Sequence, residues 1–179
     1  MQITRVIFSS SPGNPWNLTK PRKKTIMSGM YFEDFVVGEE IHHAVTRTVT
    51  ETDNLMFTTL TMNVQPLHLD EEFASKSMYG QRIVNSIFTL GLATGIPVQE
   101  TTLGTTLGNL GFRDIEFPKP VFIGDTLRVS TIALDKRLSS SRPNTGIVGI
   151  EHRTYNQRDE LVCVVRRSAL MMCKDYVSK

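Results

Sequence analysis

Residues 83 to 96 read Ile-Val-Asn-Ser-Ile-Phe-Thr-Leu-Gly-Leu-Ala-Thr-Gly-Ile, a run without one charged side chain. As a helix it is apolar on nearly every face and has no side to offer to water, which predicts a central helix enclosed by the rest of the chain. Pro97 ends or kinks it. The run is too short to cross a bilayer, and no other stretch approaches the roughly 18 uninterrupted apolar residues that a membrane span needs.

From about Thr101 onward the pattern is that of sheet. Four strands are predicted, at 102–117, 121–137, 145–156 and 160–173. They are separated by Pro118-Lys119-Pro120, by Ser139 to Asn144 and by Asn156 to Asp159, all good turn chemistry. Short connections favour antiparallel pairing of neighbours. Upstream, Phe32, Phe35, Val36 and Val37 lead into Gly38, and Glu40 to Thr50 reads as a first strand. Thr50 with Asp53 three residues on marks a helix start, with Leu55, Met56 and Leu60 on a partial apolar face as far as Met62. Asn63 to His68 is predicted extended or turned, since Pro66 disfavours helix at Gln65. Asp70 to Met78 reads as a short surface helix capped by Asp70, with Phe73 and Ala74 turned inward. There are no internal repeats. One buried helix followed by a long antiparallel meander is an α+β architecture, a curved antiparallel sheet wrapped around a central buried helix, which is the hot-dog fold. A single such sheet leaves free edges and a partly uncovered face, so a homodimer or higher homo-oligomer is expected.

The chain has 179 residues, 40% of them hydrophobic, enough for one domain with a real core. Net charge is +2, but residues 1 to 32 carry Arg5, Lys20, Arg22, Lys23 and Lys24 and no acid. The remainder, with 15 basic and 18 acidic side chains, is mildly acidic, which argues against a nucleic-acid surface. Residues 1–29 therefore read as a flexible basic extension and 30–179 as the folded domain. The apolar piece Val6-Ile7-Phe8 falls far short of a secretory signal. The acid-free leader is open to two readings, an organelle transit peptide or an unstructured extension upstream of Met27 and Met30; the second is favoured. Cys163 and Cys173 sit in apolar runs and read as buried, reduced thiols, which points to the cytoplasm.

Several enzyme classes are excluded by what the chain lacks. It has no Gly-x-Ser-x-Gly elbow and no phosphate-cradling loop; Gly104, Gly108 and Gly111 precede strands rather than a helix. His42 and His43 are strand neighbours that point to opposite faces and do not readily share a metal. Neither a metal nor a redox cofactor is expected. Taken alone, His68 beside a proline is a turn residue, Asn63 a helix-ending residue and Ser86 a small buried one. Arg82 and Arg113 are either anion-binding forks or ion-pair partners. Lys119 reads as solvated, the row Ile87, Phe88, Leu90 and Leu92 as core, and His42 and His152 have no assigned role.

The segment Phe57 to Ala74, FTTLTMNVQPLHLDEEFA, changes the weight of these residues. It resembles the hydratase motif of the MaoC-like (R)-specific enoyl-CoA hydratases, with Phe57, Pro66, Leu67, His68 and Ala74 in register. The likeness continues through Tyr79-Gly80-Gln81-Arg82-Ile83, Phe112 to Val121 and Gly124-Asp125-Thr126-Leu127, and so covers residues 30 to 173. It implies hydration or dehydration of an enoyl-CoA, with CoA as part of the substrate and no cofactor. The family's Asp-His dyad activates water; here Asn63 stands at the Asp position, Met62 at the preceding Gly and Gln65 at the Asn. An amide orients water but takes no proton at neutral pH, which leaves acid and base work to His68. At the entry to the central helix Asn85-Ser86 replaces the family's His-Gly, with the Ser86 backbone N–H as the oxyanion donor. The Asn-x-Gln-Pro-Leu-His version of the motif points to mesaconyl-CoA (methylmalyl-CoA) hydration and thus to a short branched or dicarboxylic acyl group. The alternatives are a hot-dog thioesterase, weakened by the absence of any acid from 83 to 99, and a catalytically silent acyl-thioester-binding domain.

Overall fold

The computed structural model describes residues 29–177; the expectation of a basic extension over residues 1–29 lies outside them except for Gly29, whose N–H bonds Leu103 O (2.7 Å). Three short helices follow two short edge strands, β1 (Glu40–His42) and β2 (Arg47–Thr48). They are α1 (Glu51–Leu60), α2 (Pro66–Leu69) and α3 (Glu71–Ser75). Then come the central helix α4 (Ser86–Gly95), a one-turn α5 (Val98–Thr101) and four long strands: β3 (Thr106–Glu116), β4 (Thr126–Leu138), β5 (Thr145–Tyr155) and β6 (Leu161–Met172). The sheet is antiparallel throughout, in the order β1-β4-β5-β6-β3 with β2 also on β4. Among the described residues no helix is long and apolar enough to cross a membrane.

Helix α4 lies across the inner face of this sheet, as the hot-dog arrangement requires. Asn85, Thr89, Ala93 and Ile96 form its buried stripe at helical spacing. Ala93 packs on Cys163 and Val165 of β6; Phe88, Leu92 and Ile96 close over Leu127, Val129 and Val162. A second core lies toward the other end of the sheet, where Phe32 and Phe35 cover Ala133, Ile150 and Met171. The Phe32 ring rests where a side chain at Gly146 would stand, so glycine is required at that point of β5.

Four expectations need correction. The strand expected over Glu40 to Thr50 is two short pieces along the same edge of β4, because residues 43–46 lie opposite only 128 and 129 and the extra residues break the ladder. Pro66 does not keep the segment extended: its fixed φ suits the first turn of a helix, and α2 starts on it. Phe73 is 51% exposed, while Ala74 is buried as expected. The central helix is not covered on all sides, since Ser86, Ile87, Gly91 and Gly95 face outward, with Ile87 54% exposed. Cys163 and Cys173 are free and buried, as read from their surroundings.

A polar chain runs through the interior of the sheet. Arg167 Nε donates to His152 Nε2 (3.0 Å), and Arg can only donate, so the proton of the His152 ring is on Nδ1. That proton goes to Thr131 Oγ1 (2.8 Å), whose hydroxyl donates to His43 Nε2 (2.7 Å), and His43 Nδ1 donates to the Glu100 carboxylate (2.5 Å). The chain ties α5 to β4, β5 and β6. Burial, with the Arg167 charge and then His43 beside it, holds the His152 pKa well below its ordinary value.

Two predictions follow from these packing features. Above pH 6.5 His152 is neutral both folded and unfolded. Below it the unfolded chain gains a proton that the folded chain refuses, so stability falls with pH, by up to about 1.4 kcal/mol per unit from this group. Urea denaturation at pH 7.5, 6.5, 5.8 and 5.0 should show this slope, reduced in His152→Gln; equal slopes would contradict the assignment. Arg82 forks onto Glu51 (2.7 and 3.0 Å) and sets its Nε on Glu71 (2.9 Å), clamping α1 to α3. A double-mutant cycle of Arg82→Met with Glu51→Gln should give a coupling of about 1 kcal/mol in the same assay, and no coupling would free Arg82 for another role.

Candidate functional site

Helix α1 opens with the expected capping box, Thr50 Oγ1 accepting from Asp53 N and Asp53 Oδ2 from Thr50 N. It closes on Met62 in the left-handed region (φ 59°), a conformation that costs a non-glycine residue about 1–2 kcal/mol. This is the position at which the related motif has Gly. Asn63, next along, donates its N–H to Thr58 O (3.0 Å) and accepts Gln65 N on its side-chain oxygen (3.3 Å). Its side chain and that of Gln65 are exposed. An amide oxygen has two lone pairs, so Asn63 retains one for a water molecule.

Gln65 ends extended, Pro66 begins α2, and the one-turn helix carries His68 toward the entry of α4. Ile83 N donates to Leu67 O (3.2 Å) and the His68 ring meets Ile83 O through Nδ1 (2.9 Å). A carbonyl only accepts, so the Nδ1 atom of the neutral ring bears the proton and Nε2 carries the lone pair. His68 is half-buried, with Nε2 free of any partner among the described residues.

The same junction fixes the start of α4. Asn85 caps it, its side-chain oxygen accepting Ile87 N (3.0 Å). Asn85 N donates to Asn54 Oδ1 (2.9 Å), and Asn54 Nδ2 donates to His68 O (3.0 Å). Ser86 N–H, the first amide of the helix, has no acceptor among the described residues and sits at the positive end of the helix dipole. Ser86 also lines a cleft of about 380 Å³ together with Ile83, Val84, Thr89, Tyr79 and Lys119. The open amide of Ser86 thereby borders the cleft, and Asn54 ties the backbone of His68 to the cap residue just before it.

Of the residues singled out from the sequence, the structure links His68, Asn85 and Ser86 through this junction and places Asn63 and Gln65 on the loop leading into it. Arg82 does not join them, because each of its three nitrogens bonds a carboxylate of Glu51 or Glu71. Arg113 lies in a bulge of β3, 3.6 Å from Asp135, beside residues of β4 and β5. Lys119 sits at the cleft but is paired with Glu160 (2.8 Å) rather than simply solvated. His152, given no role from the sequence, and His43, read there only as an unsuitable metal partner for His42, belong to the internal polar chain. Among the described residues, one group could hold a metal by geometry: Glu33, Cys173 and Asp175. Burial and the neighbouring Glu33 carboxylate push the Cys173 thiol pKa up, which disfavours the thiolate a metal needs. The residue that sequence reasoning missed is Asn54. No local pattern marks it, because its two partners, His68 O and Asn85 N, come from other segments of the chain.

Comparison with known proteins bears on the family and the fold. The mesaconyl-CoA hydratase of Cereibacter sphaeroides is 30% identical over 83% of this chain and 43% of its own length. The β-methylmalyl-CoA dehydratase of Chloroflexus aurantiacus is 29% identical over 82% and 41%. The chain thus spans about two fifths of the length of these curated relatives. A structure of a monoamine oxidase regulatory protein from Archaeoglobus fulgidus superposes with a TM-score of 0.72 at 35% identity, over 82% of this chain and 96% of that one. Rv0216 of Mycobacterium tuberculosis, described as having a double hot-dog fold, superposes with a TM-score of 0.73 at 24% identity, over 84% and 47%. The model of the MaoC-like domain matches residues 34–156, and the chain belongs to that family.

Proposed function

We propose that this protein adds water to, and removes it from, the double bond of a short-chain enoyl-CoA, and that the acyl group is branched or dicarboxylic, as in mesaconyl-CoA. The observation that carries the reading is the His68 ring, its Nδ1–H on Ile83 O and its Nε2 free of partners among the described residues, with His68 O tied through Asn54 to the N–H of Asn85, the cap residue that precedes the open amide of Ser86. The relatives named mesaconyl-CoA hydratase and β-methylmalyl-CoA dehydratase support the choice of acyl group.

In hydration, Asn63 Oδ1 and His68 Nε2 hold a water at the β-carbon. As its oxygen bonds to that carbon, Nε2 takes a proton and the electron pair of the double bond moves toward the thioester oxygen. Ser86 N–H, backed by the helix dipole, stabilises the enolate oxygen. The imidazolium then returns the proton to the α-carbon, so one water is added and His68 regenerates. The thioesterase alternative lacks a nucleophile: α4 carries no acid, and the first one after it, Glu100, is bonded to buried His43.

The assembly we propose is a homodimer. Edge strand β3 pairs on one side only, with β6, and exposes Leu107, Leu110, Phe112 and Ile115; the outer face of α4 exposes Ile87. The relatives are about twice as long, and Rv0216 carries two hot-dog units, which supports a second copy in that place. The free, buried thiols support a cytoplasmic location.

Incubation with crotonyl-CoA and with mesaconyl-CoA, following enoyl absorbance and free thiol together, tests the reading. Absorbance should fall without thiol release; thiol release would indicate hydrolysis, and binding without either change a silent module. His68→Ala should lower kcat by about 10²–10⁴-fold, the usual contribution of a general acid–base residue. Asn63→Asp keeps the bond from Gln65 N and adds a proton acceptor, so kcat should rise; a fall would show that the site is built around an amide.

A further inference from the structure

Asn54 is 1% exposed, on the inner side of α1, with both ends of its carboxamide committed. Nδ2 donates to His68 O (3.0 Å), and Oδ1 accepts Asn85 N (2.9 Å). Both backbone groups are ones that helices leave without intrahelical partners. His68 O lies in the last turn of α2, and Asn85 N is at the cap of α4. One side chain from a third element satisfies both. The two other ties across this seam, Ile83 N to Leu67 O and His68 Nδ1 to Ile83 O, both end on Ile83 and stop short of the helix cap.

We infer that Asn54 is a positioning residue, whose buried carboxamide sets the separation between the His68 imidazole and the Ser86 amide by bridging His68 O and Asn85 N. The inference rests on the acid–base reading of His68 above. It assigns a division of labour at the helix start. Asn54 takes the N–H of Asn85, the Asn85 side chain takes that of Ile87, and the amide left for a ligand is that of Ser86. A buried amide adds little net stability compared with an apolar residue of the same shape. What it gives is a fixed distance between two groups that act on one substrate, where a shift of 1 Å can cost about a hundredfold in rate.

Two variants test this. Asn54→Leu keeps the branching and loses both bonds; Asn54→Asp keeps the shape and the bond from Asn85 N but loses the donor to His68 O. At a temperature where circular dichroism shows the fold intact, each should lower kcat by about 10–100-fold while KM stays within about threefold. In long-range 1H–15N spectra the wild-type His68 ring should show the Nδ1–H tautomer, lost to a mixture in Asn54→Leu. Unchanged kcat in the folded variants, or a rise in KM alone, would reduce Asn54 to packing and overturn the inference. Should the wild type hydrate no enoyl thioester, the acid–base reading fails, and the His68 spectra then decide the clamp on their own: a tautomer unchanged in both variants overturns it. Should neither variant fold, hydrogen exchange on the wild type decides: slow exchange of the Asn54 side-chain amide and of Asn85 N–H supports the clamp, and exchange at the unprotected rate overturns it.

Discussion

The bond from the His68 ring to the carbonyl of Ile83 is the constraint on which the site depends. It joins a one-turn helix, which could not hold its own geometry in water, to the first residues leading into the central helix. It settles at the same time which nitrogen of the ring is basic. Had Nδ1 faced solvent, either tautomer would be open to the ring, and proton transfer would have to wait on the right one. With Nδ1–H spent on a backbone acceptor, Nε2 is the nitrogen left with a lone pair for proton transfer.

The rest of the fold serves to hold that junction still. Helix α4 is gripped along Asn85, Thr89, Ala93 and Ile96 by the inner face of the sheet, and α5, just beyond its far end, is held by the Glu100 to Arg167 chain. The helices α1 and α3 that frame His68 are pinned to each other by Arg82. Among the described residues, left-handed non-glycine backbone beside the site is found at Met62, which precedes Asn63. Backbone strain of this kind gathers at functional sites where the surrounding structure over-determines it.

The four long strands and the central helix were legible in the sequence because each is long, periodic and bounded by proline, glycine or polar turns. Local signals failed where two meanings of one residue compete. Pro66 forbids helix at Gln65 yet favours it from its own position onward, and the second effect prevails once Leu67 is tied to Ile83. The exposure of Ile87 was hidden because apolar residues look alike whether the chain's own sheet or another copy covers them. His68 was singled out through the pattern it shares with a family, and Asn85 and Ser86 through their place at the start of the central helix, where that pattern has other residues. Asn54, His43, Glu100 and Arg167 were not, because their partners come from distant segments and only the folded chain brings them together. Arg82 and Arg113 show the reverse: a guanidinium reads as an anion receptor until the carboxylates around it are known.

The central claim is that a lone imidazole and one helix-terminal amide suffice to add water to an enoyl thioester where the usual carboxylate is an amide. Mass spectrometry of the products formed in 18O-labelled water tests it most directly. The account predicts that the label enters the β-hydroxyl of a 3-hydroxyacyl-CoA whose thioester bond is intact. Label found in the carboxylate of a free acid, or in no product at all, would contradict it.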